Sequence, residues 1–177
     1  MRRLVYVTLI FLALGAVGLL LLPALTGTAK IVAPDAFAPA PDNIPKVEPG
    51  TYLPEGLKDI RIGMSLVEFL ESGHAQNVLR KDHDFRITIE KAYADQAFSA
   101  ATFYFGAEGN RPLYEIIIEY PPNYDLHAHL ATAYGEPTHE GEWRYRDHDD
   151  YRIMIWTFLN KVVIAANMRG TEHQYKK

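Results

Sequence analysis

Seven histidines and a scatter of carboxylates are the groups in this 177-residue chain that could hold a metal or move a proton. His127 and His129 stand two apart on a predicted helix, which turns them about 200° from each other and keeps them off one metal; on a strand they would share a face. His139 and His148, the latter among Asp147, Asp149 and Asp150, lie at opposite ends of a predicted strand about 20 Å long. The acidic turns Asp82-His83-Asp84 and Asp147-His148-Asp149-Asp150 lack the length and the glycine bend of a calcium loop. Serine occurs only at Ser65, Ser72 and Ser99, and none sits in a Gly-x-Ser-x-Gly turn. Glu115 and Glu119 are about 13 Å apart by strand rise, too far for a paired-carboxylate mechanism. No glycine loop suited to phosphate appears. These residues predict no catalytic residues, no metal site and no cofactor, so the chain does not read as an enzyme.

Aromatic residues are the stronger signal. Tyr and Trp bring apolar area and a polar tip, and they are enriched at protein interfaces. They gather in the second half of the domain and its approach, where Tyr120, Tyr124, Trp143, Tyr145 and Trp156 are the candidate partner-binding residues.

The elements that must position them read clearly. Ser65 and Glu68 form a capping-box signature ahead of a helix with Leu66, Phe69 and Leu70, stopped at Gly73. His74 to Lys81 is ambiguous, with Val78 and Leu79 suggesting a short helical turn. Three strands follow: one through Phe85, Ile87 and Ile89, a second from Phe98 to Phe105, and a third from Leu113 to Tyr120. In the third, alternation places Tyr114, Ile116, Ile118 and Tyr120 on one face. The second half repeats the plan. A helix capped by Asn123 ends at Gly135-Glu136-Pro137. Strands then run over Glu142–Arg146, Tyr151–Phe158 and Val162–Met168, with Asn160-Lys161 as a tight turn. The predicted architecture is α+β: two tandem α-β-β-β units, 60–120 and 121–170, forming an antiparallel sheet with helices on one face.

An apolar N-terminal segment precedes this domain. Arg2 and Arg3 lead into Leu4–Leu22, which has no charge; at about 1.5 Å per residue it nearly spans a hydrocarbon layer of about 30 Å. Residues 1–25 therefore read as a membrane anchor, or as a signal segment with small residues Gly27 and Ala29 before a cut. Residues 26–50 are a Pro/Ala-rich linker whose proline-rich part, 31–49, is able to extend roughly 60 Å, 51–170 the domain, and 171–177 a polar tail. The positive-inside rule keeps the N-terminus cytoplasmic and sends the domain outward. Beyond Val47 the chain has 14 basic and 20 acidic residues, which disfavours nucleic-acid binding. It contains no cysteine, which removes disulfides and thiolate sites.

Ile62-Gly63-Met64-Ser65 entering a helix, Gly135-Glu136-Pro137, Trp143-Arg144-Tyr145, and a strand ending Phe158-Leu159-Asn160 before Val162 and Val163 resemble the small lipoprotein family of the bacterial outer-membrane β-barrel assembly machinery. The tandem form resembles the fold of β-lactamase inhibitor proteins. The resemblance implies a compact helix-plus-three-strand unit and a role in envelope assembly or in inhibiting a partner. The function expected is a single-pass inner-membrane protein whose extracytoplasmic domain, in the periplasm or outside the cell, binds another envelope protein. The alternative is a small-ligand or metal-sensing periplasmic domain.

Overall fold

A computed structural model describes residues 44–139, 141–147, 151–169, 171 and 173. The predicted anchor Leu4–Leu22, most of the linker, and His148, Asp149 and Asp150 lie outside these residues. Among the described residues no helix is long and apolar enough to cross a membrane.

The domain is a seven-stranded antiparallel sheet with few helices. Helix α1 (Leu66–Glu71) is followed by β1 (Leu79–Asp82), β2 (Arg86–Ala92), β3 (Ala100–Gly106) and β4 (Leu113–Glu119). Helix α2 (Leu126–Tyr134) is followed by β5 (Trp143–Arg146), β6 (Arg152–Phe158) and β7 (Lys161–Ala166). The strand order is β1-β2-β3-β4-β7-β6-β5. Each half folds back on itself as a meander, and β4 joins β7 at the middle.

Register explains the core. Ile89 faces Phe103, Phe103 faces Ile116, Ile116 faces Ile164, Ile164 faces Ile155, and Ile155 faces Trp143. A period of two puts this whole row on one side of the sheet. Both helices meet that side. Phe69 of α1 lies 4.8 Å from the Phe103 ring and 5.2 Å from that of Phe105. Tyr134 of α2 lies 5.7 Å from Trp143 and 6.5 Å from Tyr145.

Four features differ from the sequence expectation. The ambiguous stretch after α1 holds a single tight turn at Gly73–Ala75 and then an extra edge strand, β1, which pairs with β2 from Leu79↔Glu90 to Asp82↔Ile87. Asn77, at φ +56°, redirects the chain between them. Second, a bulge in β4 breaks the alternation. Tyr104 faces Glu115 while Phe105 faces Leu113, so Tyr114 is the extra residue. Its ring stacks 6.4 Å from Tyr104 on the face opposite Ile116 and Ile118, because the two residues of a bulge oppose one on the partner strand. Third, Asp125 and not Asn123 caps α2, its Oδ1 accepting from Ala128 N at 3.0 Å. A turn closed by Tyr124 N and Pro121 O occupies the preceding residues. Fourth, the end of the linker already belongs to the sheet. Val47 N donates to Arg146 O and Arg146 N to Pro45 O, both at 2.8 Å, which closes the β5 edge.

The capping box on α1 forms as expected, with Ser65 N on Glu68 Oε2 at 2.8 Å and Glu68 N on Ser65 Oγ at 3.2 Å. The Ser65 backbone N–H first, and then the Ser65 hydroxyl, hold the Glu68 carboxyl below its ordinary pKa. Gly63 just before it sits at φ +84°, and a Cβ there would come 2.6 Å from Tyr151 Cε2. Gly63→Ala should therefore lower stability by about 1–3 kcal/mol in urea unfolding. A cost near zero would show that the turn relaxes freely.

Candidate functional site

The five aromatic candidates do not share a surface. Tyr120 and Trp143 are buried, and the Trp143 indole N–H donates to Gly135 O at 3.0 Å. Tyr145 is half-buried on the same helix-covered side. Tyr124, in the loop before α2, stacks 4.8 Å from Tyr120. Its hydroxyl lies 3.1 Å from His129 Nδ1, and the Tyr120 hydroxyl lies 3.4 Å from Nε2. Only Trp156 is on the opposite face, edge-on to His173 at 6.5 Å. His173 also meets Glu115 Oε2 at 2.5 Å, so this histidine lies against that face.

The structure assembles a relay that local sequence could not reveal, because its members are 15 and 19 residues apart. Asp59 Oδ1 accepts a hydrogen bond from His74 Nε2–H at 2.7 Å, which leaves Nδ1 to accept from the Tyr93 hydroxyl at 3.1 Å. The order imitates orienter, base and nucleophile. Burial, and then the nearby Asp59 charge, push the Tyr93 phenol up to about 12, so it stays protonated at neutral pH. Burial and then Tyr124 push Tyr120 up to about 12 as well. The relay therefore ties the turn after α1 to the end of β2. A raised folded-state pKa means that the unfolded chain loses these protons first, near pH 10. Stability should be intact below pH 10 and decline as pH rises toward 12. Denaturation midpoints measured across that range, with Tyr93→Phe reducing the slope, check this.

A concavity with a mainly apolar lining lies elsewhere. Leu126, His127 and Leu130 of α2 form one wall, Pro137 and Trp143 a second, and Thr157 and Leu159 the third, around a groove of about 260 Å³. Beside it the β6–β7 hairpin ends in Phe158 and Leu159, which are 60% and 80% exposed. Phe158 faces Lys161 across the turn, so the two turn residues are Leu159 and Asn160, not the expected Asn160 and Lys161. Leu159 has φ +57°, at the first position of a two-residue turn, where glycine is favoured. A leucine in that conformation costs roughly 1–2 kcal/mol. The tip is held firmly all the same: Asn160 Nδ2 donates to Tyr120 O at 2.6 Å and Tyr120 N to Asn160 O at 2.9 Å. Core packing does not explain an exposed Phe-Leu pair on a fixed hairpin, with the leucine in a strained conformation.

A second, more polar concavity of about 560 Å³ lies by Glu90, Lys91, Glu119 and Lys161. Its charges are engaged: Lys161 pairs with Glu119 at 2.9 Å, and Lys91 donates to the Gly73 and His74 carbonyls. Among the described residues no three metal-ligating side chains converge.

Compared with protein-family models, curated proteins and solved structures, the chain finds no match. Its class rests on the fold and on this groove.

Proposed function

We propose that the chain is a membrane-anchored, extracytoplasmic protein–protein interaction module of the cell envelope, docking its partner at the Phe158-Leu159 tip and the adjoining groove. The anchor reading rests on Arg2, Arg3 and the uncharged Leu4–Leu22. The finer fold reading, two tandem α-β-β-β units joined through β4 and β7, is supported by the order of elements; the first unit has gained β1. The observation that carries the interaction reading is the tip. It keeps two large apolar side chains in water at a cost in backbone strain, and such exposed apolar surface marks binding sites.

The test places a photoreactive phenylalanine at position 158 of the full-length chain in intact cells. One protein partner should be captured, and capture should fall at least tenfold with Leu159→Gly. That variant should match or exceed the parent in stability, to within about 1 kcal/mol, because glycine relieves the left-handed strain while adding freedom to the unfolded chain. Separate loss of capture and retention of stability would identify the tip as functional. A parent protein that captures nothing from 158 would sink the reading.

A further inference from the structure

The groove also specifies what kind of segment should fill it, given that the interaction reading holds. We infer that its occupant is an extended stretch of another protein bearing one bulky apolar side chain flanked by lysine or arginine. Size is the first argument. About 260 Å³ lies below the roughly 300–1,000 Å³ of small-molecule sites, and suits one large side chain. Lining is the second. Leu126, Leu130, Pro137 and Trp143 offer apolar walls with few polar groups to orient a small ligand.

Charge is the third argument, and it selects among occupants. From Asp125 to Trp143 the chain that forms two of the walls has four acidic residues and no lysine or arginine. One of these, Glu142, is buried against Arg144. Asp125 and Glu136 are exposed next to lining residues. Among the described residues neither forms an ion pair. An acidic rim around an apolar slot attracts a basic segment and repels an acidic one. It also repels a second copy of this chain, which would present the same rim within a domain that is acidic overall. Basic flanks would speed association and set orientation, while the central side chain supplies the buried area.

The experiment uses the full-length protein and short peptides containing photo-leucine. In one the flanks are lysine, in the second glutamate, and in the third serine. Binding is followed at low and high salt, and the labelled residues are mapped. The lysine peptide should bind at least tenfold more tightly than the glutamate peptide and label residues lining the groove. Glu136→Lys should weaken it about threefold, and Leu159→Asp at least tenfold. Near 1 M salt, where screening acts beyond about 3 Å, the preference for lysine should shrink severalfold. Equal binding of the three peptides, labelling outside the groove, or a salt-independent preference would overturn the inference. So would a dimer in which Phe158 of one copy crosslinks into the groove of another. If position 158 captures a partner in cells while the lysine peptide fails to bind, the interaction reading stands and this occupant is wrong. The reverse pattern supports a basic occupant for the groove and sinks the reading that a partner docks at the tip.

Discussion

Arg144→Met should destabilise the domain by about 3–5 kcal/mol, whereas Glu142→Leu combined with Arg144→Met should bring stability back to within about 1 kcal/mol of the parent or above it. The two residues are on one face of the chain entering β5, two positions apart. Arg144 Nη2 and Nε donate to Glu142 Oε2 at 3.1 and 3.3 Å. Only 3% of Glu142 and 6% of Arg144 is exposed. The second carboxylate oxygen, Oε1, has no hydrogen-bond partner. Two charges in such a place owe their tolerability to each other. Removing the arginine leaves a carboxylate with neither water nor a cation, and that penalty is larger than the net contribution of the pair. Removing both replaces an imperfectly satisfied ion pair with apolar volume. Urea unfolding of the parent, both single variants and the double variant gives the coupling directly. A single-variant cost below about 1 kcal/mol would mean that water reaches the pair.

Why the strands were legible and the site was not follows from the range of the signals. Ile87 and Ile89 alternate with Arg86, Thr88 and Glu90, and alternation is local. The core row could therefore be read before the strands were paired. The capping box at Ser65 and Glu68 spans three residues and was equally plain, as was Gly135 ahead of Pro137. The β4 bulge was not, because it depends on how Tyr104 and Phe105 meet their partners across the sheet. It moves Tyr114 to the opposite face without changing any pattern within β4. Aromatic content pointed to five side chains that the fold spreads over different surfaces. Tyr120 and Trp143 serve the core, whereas Phe158 and Leu159, which ended a strand in the sequence reading, are exposed. The clue available was the absence of glycine from Phe158-Leu159-Asn160-Lys161, a hairpin turn whose geometry favours one. The Asp59, His74 and Tyr93 relay had no sequence signal, since only the fold brings its members together.

Phe69→Ala should cost about 3–5 kcal/mol, a large share of the roughly 5–15 kcal/mol by which domains are ordinarily stable. Helix α1 has six residues, far fewer than an isolated helix needs in water. Its capping box contributes about 1 kcal/mol, so Ser65→Ala should cost that much and no more. Val67 points to solvent, and Val67→Ser should be close to neutral. What remains to hold the helix is Leu66 and Phe69, both buried, and the larger of them, Phe69, sets its ring against Phe103 and Phe105. The consequence should reach the far half of the sheet. Ile116 faces Phe103 on one side and Ile164 on the other, so the apolar row passes from β3 to β7 without interruption. Phe69→Ala should then unfold in one transition, with the fluorescence of Trp143 and Trp156 changing at the same urea concentration as the backbone signal. A tryptophan transition that stays at the parent midpoint while the backbone loses part of its signal earlier would show that β5, β6 and β7 with α2 stand alone. The groove would then survive the loss of α1, and the link through β4 and β7 would be a junction between two independently stable units.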